Sequence, residues 1–282
     1  MPPRRELKEW LLAVRIGRSV RYAILEGPSD RAIVNCLLAP SKSTDVTHIG
    51  NLQVELEREE TAFLGGNRAR LARLSEILAE RRLSNALCVI DRDFEDLYAC
   101  LPKNENYVLT DFANTPAGFC DHNFVRGFLE RGYGVELGNA DWESFCSIFR
   151  QLFAIRYWKA ANAPREKLPD ATAYLSIDSN TPKVDWKGFY ARVQALSSGR
   201  IKSVVLAKEA NEITSMLAAD CRSSLHTDDL FPVLHSFLRL KRKVSNTSKP
   251  EEIRSAFLSG MSAPRPGQER LVELSEWLLG AV

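Results

Sequence analysis

The chain has 282 residues, 45% hydrophobic and 26% charged, with a formal charge of +2. That is ordinary for a soluble globular protein of one large or two modest domains with a sizeable core, and a balance so close to neutral excludes net charge as a source of nucleic-acid binding, which must rest on local basic clusters. No apolar stretch approaches the ~20 residues of a membrane span, and the N-terminus lacks a signal peptide's continuous apolar core. The expectation is a cytoplasmic protein with no membrane partner. Cysteines at 36, 88, 100, 120, 146 and 221 form no C-x-x-C pair, and Cys36 and Cys88 lie in apolar runs. All six read as reduced thiols.

Leu7, Leu11 and Val14 recur at helical spacing, so the first eighteen residues predict a docking helix. Arg15, Arg18 and Arg21 near its end either face phosphate or form a solvated face. A first strand follows over Val20 to Leu25, ending on Glu26. Gly27-Pro28 marks a turn, and Ser29 or Asp30 can cap a helix running from about Ala32 to Leu38, with Ile33, Val34, Leu37 and Leu38 inward. Val46 to Ile49 reads as a second strand. Gly65-Gly66-Asn67 opens a helix with Leu71, Leu74, Ile77 and Leu78 on one face and Arg68, Arg70 and Arg73 elsewhere. The diglycine serves a tight strand-to-helix turn or cradles a phosphate. A third strand, Ala86 to Ile90, ends on Asp91-Arg92-Asp93, and a fourth, about Tyr107 to Thr110, ends on Asp111.

Parallel strands deliver their last side chains to one edge of an open α/β sheet, so Glu26, Asp30, Asp91 and Asp93 are expected to converge. Clustered carboxylates repel one another unless a hard divalent cation sits among them, which points to Mg²⁺ or Mn²⁺. Residues two apart in an extended segment point to one side, so Asp91 and Asp93 can share an ion, with Arg92 facing away or pairing with a phosphate. Asp30 as a mere N-cap and Glu26 as a solvated strand-end residue is the competing account.

From about residue 122 helical segments predominate. Asp141 to Phe153 carries an aromatic stripe that fits a helix packed into a core better than a base-stacking surface. A loop is expected over Ala161 to Pro169, helices over 184–198 and 204–219 with a break at Ser198-Gly199, an apolar helix over Leu230 to Leu240, and a last helix, Leu271 to Leu279, docked on the helical part. The basic run Arg239, Lys241, Arg242 and Lys243 either complements a helix C-terminus or contacts a phosphate backbone. His226 and His235 have no second ligand at zinc spacing.

Two motifs carry a resemblance. Glu26-Gly27-Pro28-Ser29-Asp30 resembles the E-G-x-x-D signature of the TOPRIM domain and Asp91-Arg92-Asp93 its D-x-D signature, while His226-Thr227-Asp228-Asp229-Leu230-Phe231 resembles a G-H-D-L-F block. The pattern is similar to TOPRIM-like bacterial defence proteins related to the overcoming-lysogenisation-defect nucleases, among them the effectors of two-component PARIS anti-phage systems. The resemblance implies a TOPRIM-like open, mostly parallel sheet flanked by helices over 1–121 and a mainly α-helical domain over 122–282. It implies a Mg²⁺-dependent nuclease, homodimeric when active, cutting tRNA or DNA and restrained by an ABC-type ATPase partner. Carried over by position, Glu26 is the general acid/base, Asp91 and Asp93 are metal ligands with Glu26, and Asp30 binds metal or holds Glu26. Arg92 joins the basic run as a substrate contact. Relatives carry a glutamate after the fourth strand where this chain reads Thr110-Asp111-Phe112-Ala113-Asn114, leaving Asp111 or Asp121 as substitutes. A non-catalytic regulatory module of an ATPase complex is the alternative.

Overall fold

The computed structural model describes residues 4–37, 43–56, 63–178, 181–245, 248–261 and 263–280. Leu38 and the first three residues of the expected docking helix lie outside that set. The chain opens with β1 (Arg5–Glu6) and α1 (Leu7–Ile16), followed by β2 (Arg21–Leu25), α2 (Pro28–Leu37) and β3 (Thr44–His48). Then come β4 (Leu52–Gln53), α3 (Gly66–Glu80), β5 (Ala86–Ile90) and β6 (Tyr107–Leu109). The later elements are α4 (His122–Tyr133), α5 (Asn139–Asn162), β7 (Leu175–Asp178), β8 (Thr181–Val184), α6 (Trp186–Leu196) and α7 (Ser203–Met216). The chain ends with α8 (Thr227–Leu240), α9 (Pro250–Ser259) and α10 (Glu269–Leu279). No helix among the described residues is long and apolar enough to cross a membrane.

Four strands form a parallel sheet in the order β3-β2-β5-β6. Strand β2 is central and apolar on both faces, which is why its run Tyr-Ala-Ile-Leu does not alternate: a parallel strand covered by helices on each side has no wet face. On one face Tyr22, Ile24, Cys88 and Ile90 meet Trp10, Leu11 and Val14 of α1 and Leu71, Leu74 and Leu78 of α3. On the other, Val89 and Val108 lie with Val34 of α2 and Leu271 and Leu274 of α10. Each buried Leu or Ile side chain contributes about 1.5–3 kcal/mol of apolar burial, so these two layers supply most of what holds the sheet.

The strand order reverses between β2 and β5: the chain steps outward from β2 to β3, then returns to the far side of β2 to lay down β5 and β6. The loops leaving β2 and β5 therefore diverge, opening a crevice outside the carboxyl ends of those two strands, where open α/β sheets bind ligands. Leu25 pairs with Val89, so Glu26 and the Ile90-Asp91 peptide stand side by side at that crevice.

Two compact units result, one of Met1–Phe119 with Met261–Val282 and one of Cys120–Gly260. The second is mainly helical. Asp121 caps α4 by accepting the Phe124 N–H, and Gly134, with φ of 60°, closes it in the left-handed region that glycine adopts without a Cβ clash. Phe145, Phe149 and Phe153 of α5 are buried, Phe145 lying edge-on to Phe237 of α8, so the aromatic stripe is core. Arg156 holds Asp229 through two 2.6 Å hydrogen bonds, and Cys146 and Cys221 bring their thiols together from 75 residues apart. The hairpin β7–β8 and the small pair β1–β4 have no counterpart in the sequence reading.

One placement corrects that reading. Helix α10 does not join the helical part; it packs on β2, and the Asp111 carboxylate accepts the backbone N–H groups of Arg270 and Leu271 at its N-terminus. The periodicity of Leu271, Leu274 and Leu278 shows an apolar face but not which unit covers it. Deleting residues 261–282 is expected to strip protection from the β2 and β5 amides in hydrogen exchange while leaving α5 and α8 protected. Loss confined to α5 and α8 would assign the helix to the other unit.

Candidate metal centre

Glu26 follows the last residue of β2, and Gly27-Pro28 turns the chain directly into α2, with Pro28 at the first helical position, where its missing N–H costs nothing. Asp30 sits in the first turn of α2, buried, and its Oδ2 accepts the Gly27 N–H at 2.9 Å. That bond is half of a capping box and fixes the turn beneath Glu26. The helix thus begins four residues earlier than its apolar periodicity suggested, and Asp30 is both a cap and a member of the acidic group.

Strand β5 ends at Ile90, and by the third residue beyond it the backbone has left the extended conformation. Asp93 adopts φ of 40°, left-handed backbone that aspartate tolerates better than most residues. The even-odd geometry of a strand therefore does not set where Asp91 and Asp93 point. The buried loop after β6 sets it: Asp93 donates its N–H to the Ala113 carbonyl at 2.9 Å, and Thr110 Oγ1 accepts the Arg92 N–H at 3.0 Å while donating to the Phe112 carbonyl at 2.7 Å.

The four carboxyl groups lie within electrostatic reach of one another. The Asp91 N–H points at Glu26 Oε2, 3.4 Å away. Burial first, then repulsion from Asp93 and Asp30, raises the Glu26 carboxyl from its ordinary 4.5 to about 7, against a partial offset from Arg68. Asp91 is raised well above its ordinary range, again by burial first and then by Asp30, Glu26 and Asp93.

Arg68 was missed. Its spacing sets it off the apolar face of its helix, yet it is buried, donates to the Asp91 main-chain carbonyl, donates to Glu95 Oε2 at 2.8 Å and stands 3.9 Å from Asp93 Oδ2. Glu95 in turn accepts the Cys100 and Leu101 N–H groups at 3.0 and 3.2 Å. The available signal was electrostatic: a cation in the first turn of a helix opposes the macrodipole, so it needs a tertiary partner to sit there. Asn67 beside it donates to the Glu26 carbonyl at 3.0 Å, and Gly66, with φ of 57°, makes the turn that brings both side chains to the crevice.

Other expected site residues are engaged elsewhere. Both oxygens of Asp111 cap α10, so it is not brought to the cluster, and Asp121 caps α4. Arg92 donates to the Thr110 carbonyl at 3.0 Å and to Asp96 at 2.9 Å, so its guanidinium is held by the protein. Arg239, Lys241, Arg242 and Lys243 belong to the second unit, at and just beyond the C-terminus of α8, where Lys241 lies over the Phe237 ring.

A hard divalent cation suits this donor set, since carboxylate oxygens short of countercharge are what Mg²⁺ and Mn²⁺ prefer. Yet among the described residues no group of three or more His, Cys, Asp or Glu side chains is set to hold a metal ion. Repulsion acts over several ångströms, whereas coordination to Mg²⁺ needs oxygens about 2.0–2.1 Å from one point, so the carboxylates are near without forming a closed shell. Mg²⁺ commonly takes only one or two protein carboxylates and fills the rest with water and substrate phosphate, so the open arrangement still fits the ion. The chain matches no protein-family model and no curated protein sequence.

The raised Glu26 carboxyl predicts a signed pH dependence. Between 4.5 and about 7 the folded chain holds a proton at Glu26 that the unfolded chain has released, so stability falls as pH rises through that window and levels off above it. Urea denaturation at pH 5 and pH 8 in chelator is expected to differ by about 2–3 kcal/mol more in the parent than in Glu26→Gln. An identical difference in both proteins would remove Glu26 as the source.

Proposed function

We propose that the chain is a divalent-metal-dependent phosphodiester hydrolase, a TOPRIM-like nuclease, with its reaction centre at Glu26, Asp91 and Asp93. The observation that carries this reading is the convergence of Glu26, Asp30, Asp91 and Asp93 outside the β2 and β5 carboxyl ends, at the switch point of the parallel sheet. Glu26, Asp91 and Asp93 would hold the cation, which when bound supplies a Lewis acid toward phosphate oxygens and a lowered pKa for bound water. The motif resemblance also gives Glu26 the acid/base role; before a cation binds, burial and the neighbouring carboxylates hold its carboxyl up near 7, which suits it to taking up a proton at neutral pH. Asp30 holds the Gly27 N–H and with it the turn that aims Glu26. Arg68 positions the Asp91 backbone and supplies countercharge beside the Asp93 carboxylate.

Motif resemblance alone extends the proposal to an anti-phage effector that cuts tRNA and is restrained by an ABC-type ATPase partner. A second reading, a regulatory or binding module, draws on one observation: Arg68 already offsets part of the negative charge, and no metal-ligating trio stands ready among the described residues.

Cleavage separates the two. With labelled tRNA and plasmid DNA, Mg²⁺ or Mn²⁺ is expected to support cutting by the parent and at least 100-fold less by Glu26→Gln and Asp91→Asn. Equal cutting by all three overturns the assigned centre; no cutting by the parent, with the partner present, favours the module. A readout without turnover accompanies it. Millimolar Mn²⁺ is expected to raise the parent's melting temperature at pH 8 and much less at pH 5, where protons occupy the same oxygens. No shift at pH 8 removes the metal.

A further inference from the structure

A second charged feature lies at the opposite edge of the same sheet. Lys8 and Arg15 of α1, Arg18 in the following turn, Arg21 at the start of β2, and Arg81 and Arg82 at the end of α3 line an open groove of about 830 Å³. Among the described residues no carboxylate lines it. Five of the six cations are exposed, and among the described residues Lys8, Arg15, Arg18, Arg81 and Arg82 form no ion pair with a carboxylate. The whole chain carries +2, so setting these six aside leaves −4 on the remainder: the positive charge is concentrated here.

Helix dipoles do not account for it. The C-termini of α1 and α3 both end at the groove and together offer about one negative charge, against six positive ones. Part of even that is consumed, since Asn85 Nδ2 donates to the carbonyls of Val14, Gly17 and Val20 at 3.0–3.2 Å. Those bonds also tie the α1–β2 turn to the α3–β5 turn, so the walls are braced against each other. Backbone strain points the same way. Arg82 has φ of 55°, at the second residue past α3, the position after the C-cap where glycine is favoured, and a β-carbon there costs about 1 kcal/mol. Arg21 is oriented by stacking its guanidinium over Trp277, 5.1 Å from the ring centre.

We propose that this groove binds the phosphodiester backbone of a nucleic acid. Six guanidinium and ammonium groups lining a concavity suit a rod of regularly spaced phosphates better than a flat headgroup surface, whose charges cannot enter the groove. Among the described residues the remaining lining side chains are Leu11, Leu12, Leu83, Ser84 and Asn85, none of them an aromatic ring that could stack a base, so the binding is independent of sequence. The five residues of β2 separate the groove from Glu26 by about 17 Å. At one phosphate per 3.4 Å along each strand, about five base pairs of duplex span that distance, so the groove is a grip separate from the acidic cluster. It stands on charge and geometry alone and survives if nothing is cut at Glu26.

Fluorescence anisotropy of the full chain with labelled 20-mers of RNA and DNA, single- and double-stranded, tests it in chelator, where hydrolysis cannot intervene. The parent is expected to bind duplex with log K falling against log salt at a slope of about −5, as six phosphate contacts require. The triple variant Arg15→Glu, Arg18→Glu, Arg82→Glu is expected to bind at least 30-fold more weakly at 0.1 M salt and to flatten the slope by about 3. Far-UV circular dichroism confirms that it folds. A control triple of exposed, ion-paired cations, Arg126→Glu, Lys183→Glu, Lys208→Glu, changes net charge equally and is expected to bind like the parent. Four results overturn the proposal: no parental binding at 50 mM salt, affinity untouched by the groove triple, equal loss in the control, or displacement of the oligonucleotide by polyglutamate at equal charge concentration. Groove-dependent capture by anionic vesicles without oligonucleotide binding would assign the surface to lipid instead.

Discussion

The acidic crevice depends on one guanidinium. Four carboxyl groups drawn together in a half-buried space repel one another and lose hydration, and both effects grow as the local dielectric falls. Arg68 offsets part of this cost through its charge: it satisfies the Asp91 carbonyl, pairs with Glu95 and stands beside Asp93, yet Glu26 and Asp91 remain raised. The crevice is therefore neither neutralised nor fully charged at pH 7. With Arg68 its countercharge among the described residues, the group stays receptive to protons or to a second cation, and that intermediate state gives Glu26 a titration near neutrality.

Topology explains why the charges meet at all. A carboxylate after a strand is an ordinary solvated residue when its neighbouring loops run parallel to it. Here the order β3-β2-β5-β6 makes the loops after β2 and β5 part company, and the opening they leave is where Glu26 and Asp91 stand. Everything else at the crevice acts as bracing. Asp30 holds the α2 turn, Asn67 holds the Glu26 carbonyl, and the buried segment after β6 holds Arg92 and Asp93. The glutamate expected in that segment is absent from the sequence, and the residues in its place hold the Asp91–Asp93 backbone instead.

Much of this was legible in one dimension, and what was not has a common cause. Short Val, Ile and Leu runs ending on carboxylates located β2, β5 and β6 within a residue at each end, because a buried parallel strand must be apolar throughout. Glu26, Asp91 and Asp93 followed from the same pattern. Asp111 satisfied that pattern equally well and is a helix cap, because its partners, Arg270 and Leu271, lie 159 and 160 residues away and no local signal names them. Helix α10 was assigned to the helical part for the same reason. Arg68 was hidden among several arginines on a helix whose polar residues all look solvated; only its conflict with the helix dipole set it apart.

The two edges of the sheet carry opposite charge, and the separation has an electrostatic consequence. Cations close to Glu26 and Asp91 would pair with them, draw their pKa values down and compete with a metal ion, so a grip for a polyanion built next to the crevice would quench the acid/base role proposed for Glu26. Placed about 17 Å away, beyond the Debye length of ~8 Å at physiological salt, the basic groove leaves the titration of Glu26 almost untouched. Arg68, which offsets charge at both Glu26 and Asp91, already donates to the Asp91 carbonyl and to Glu95. On the proposed reading, a polyanion anchored at the groove would still reach the crevice along its own length, because the charges that would hold it and the charges that would act on it need not be neighbours. The parallel sheet separates them by necessity: a strand has two ends, and the residues before β2 and β5 can never approach those that follow.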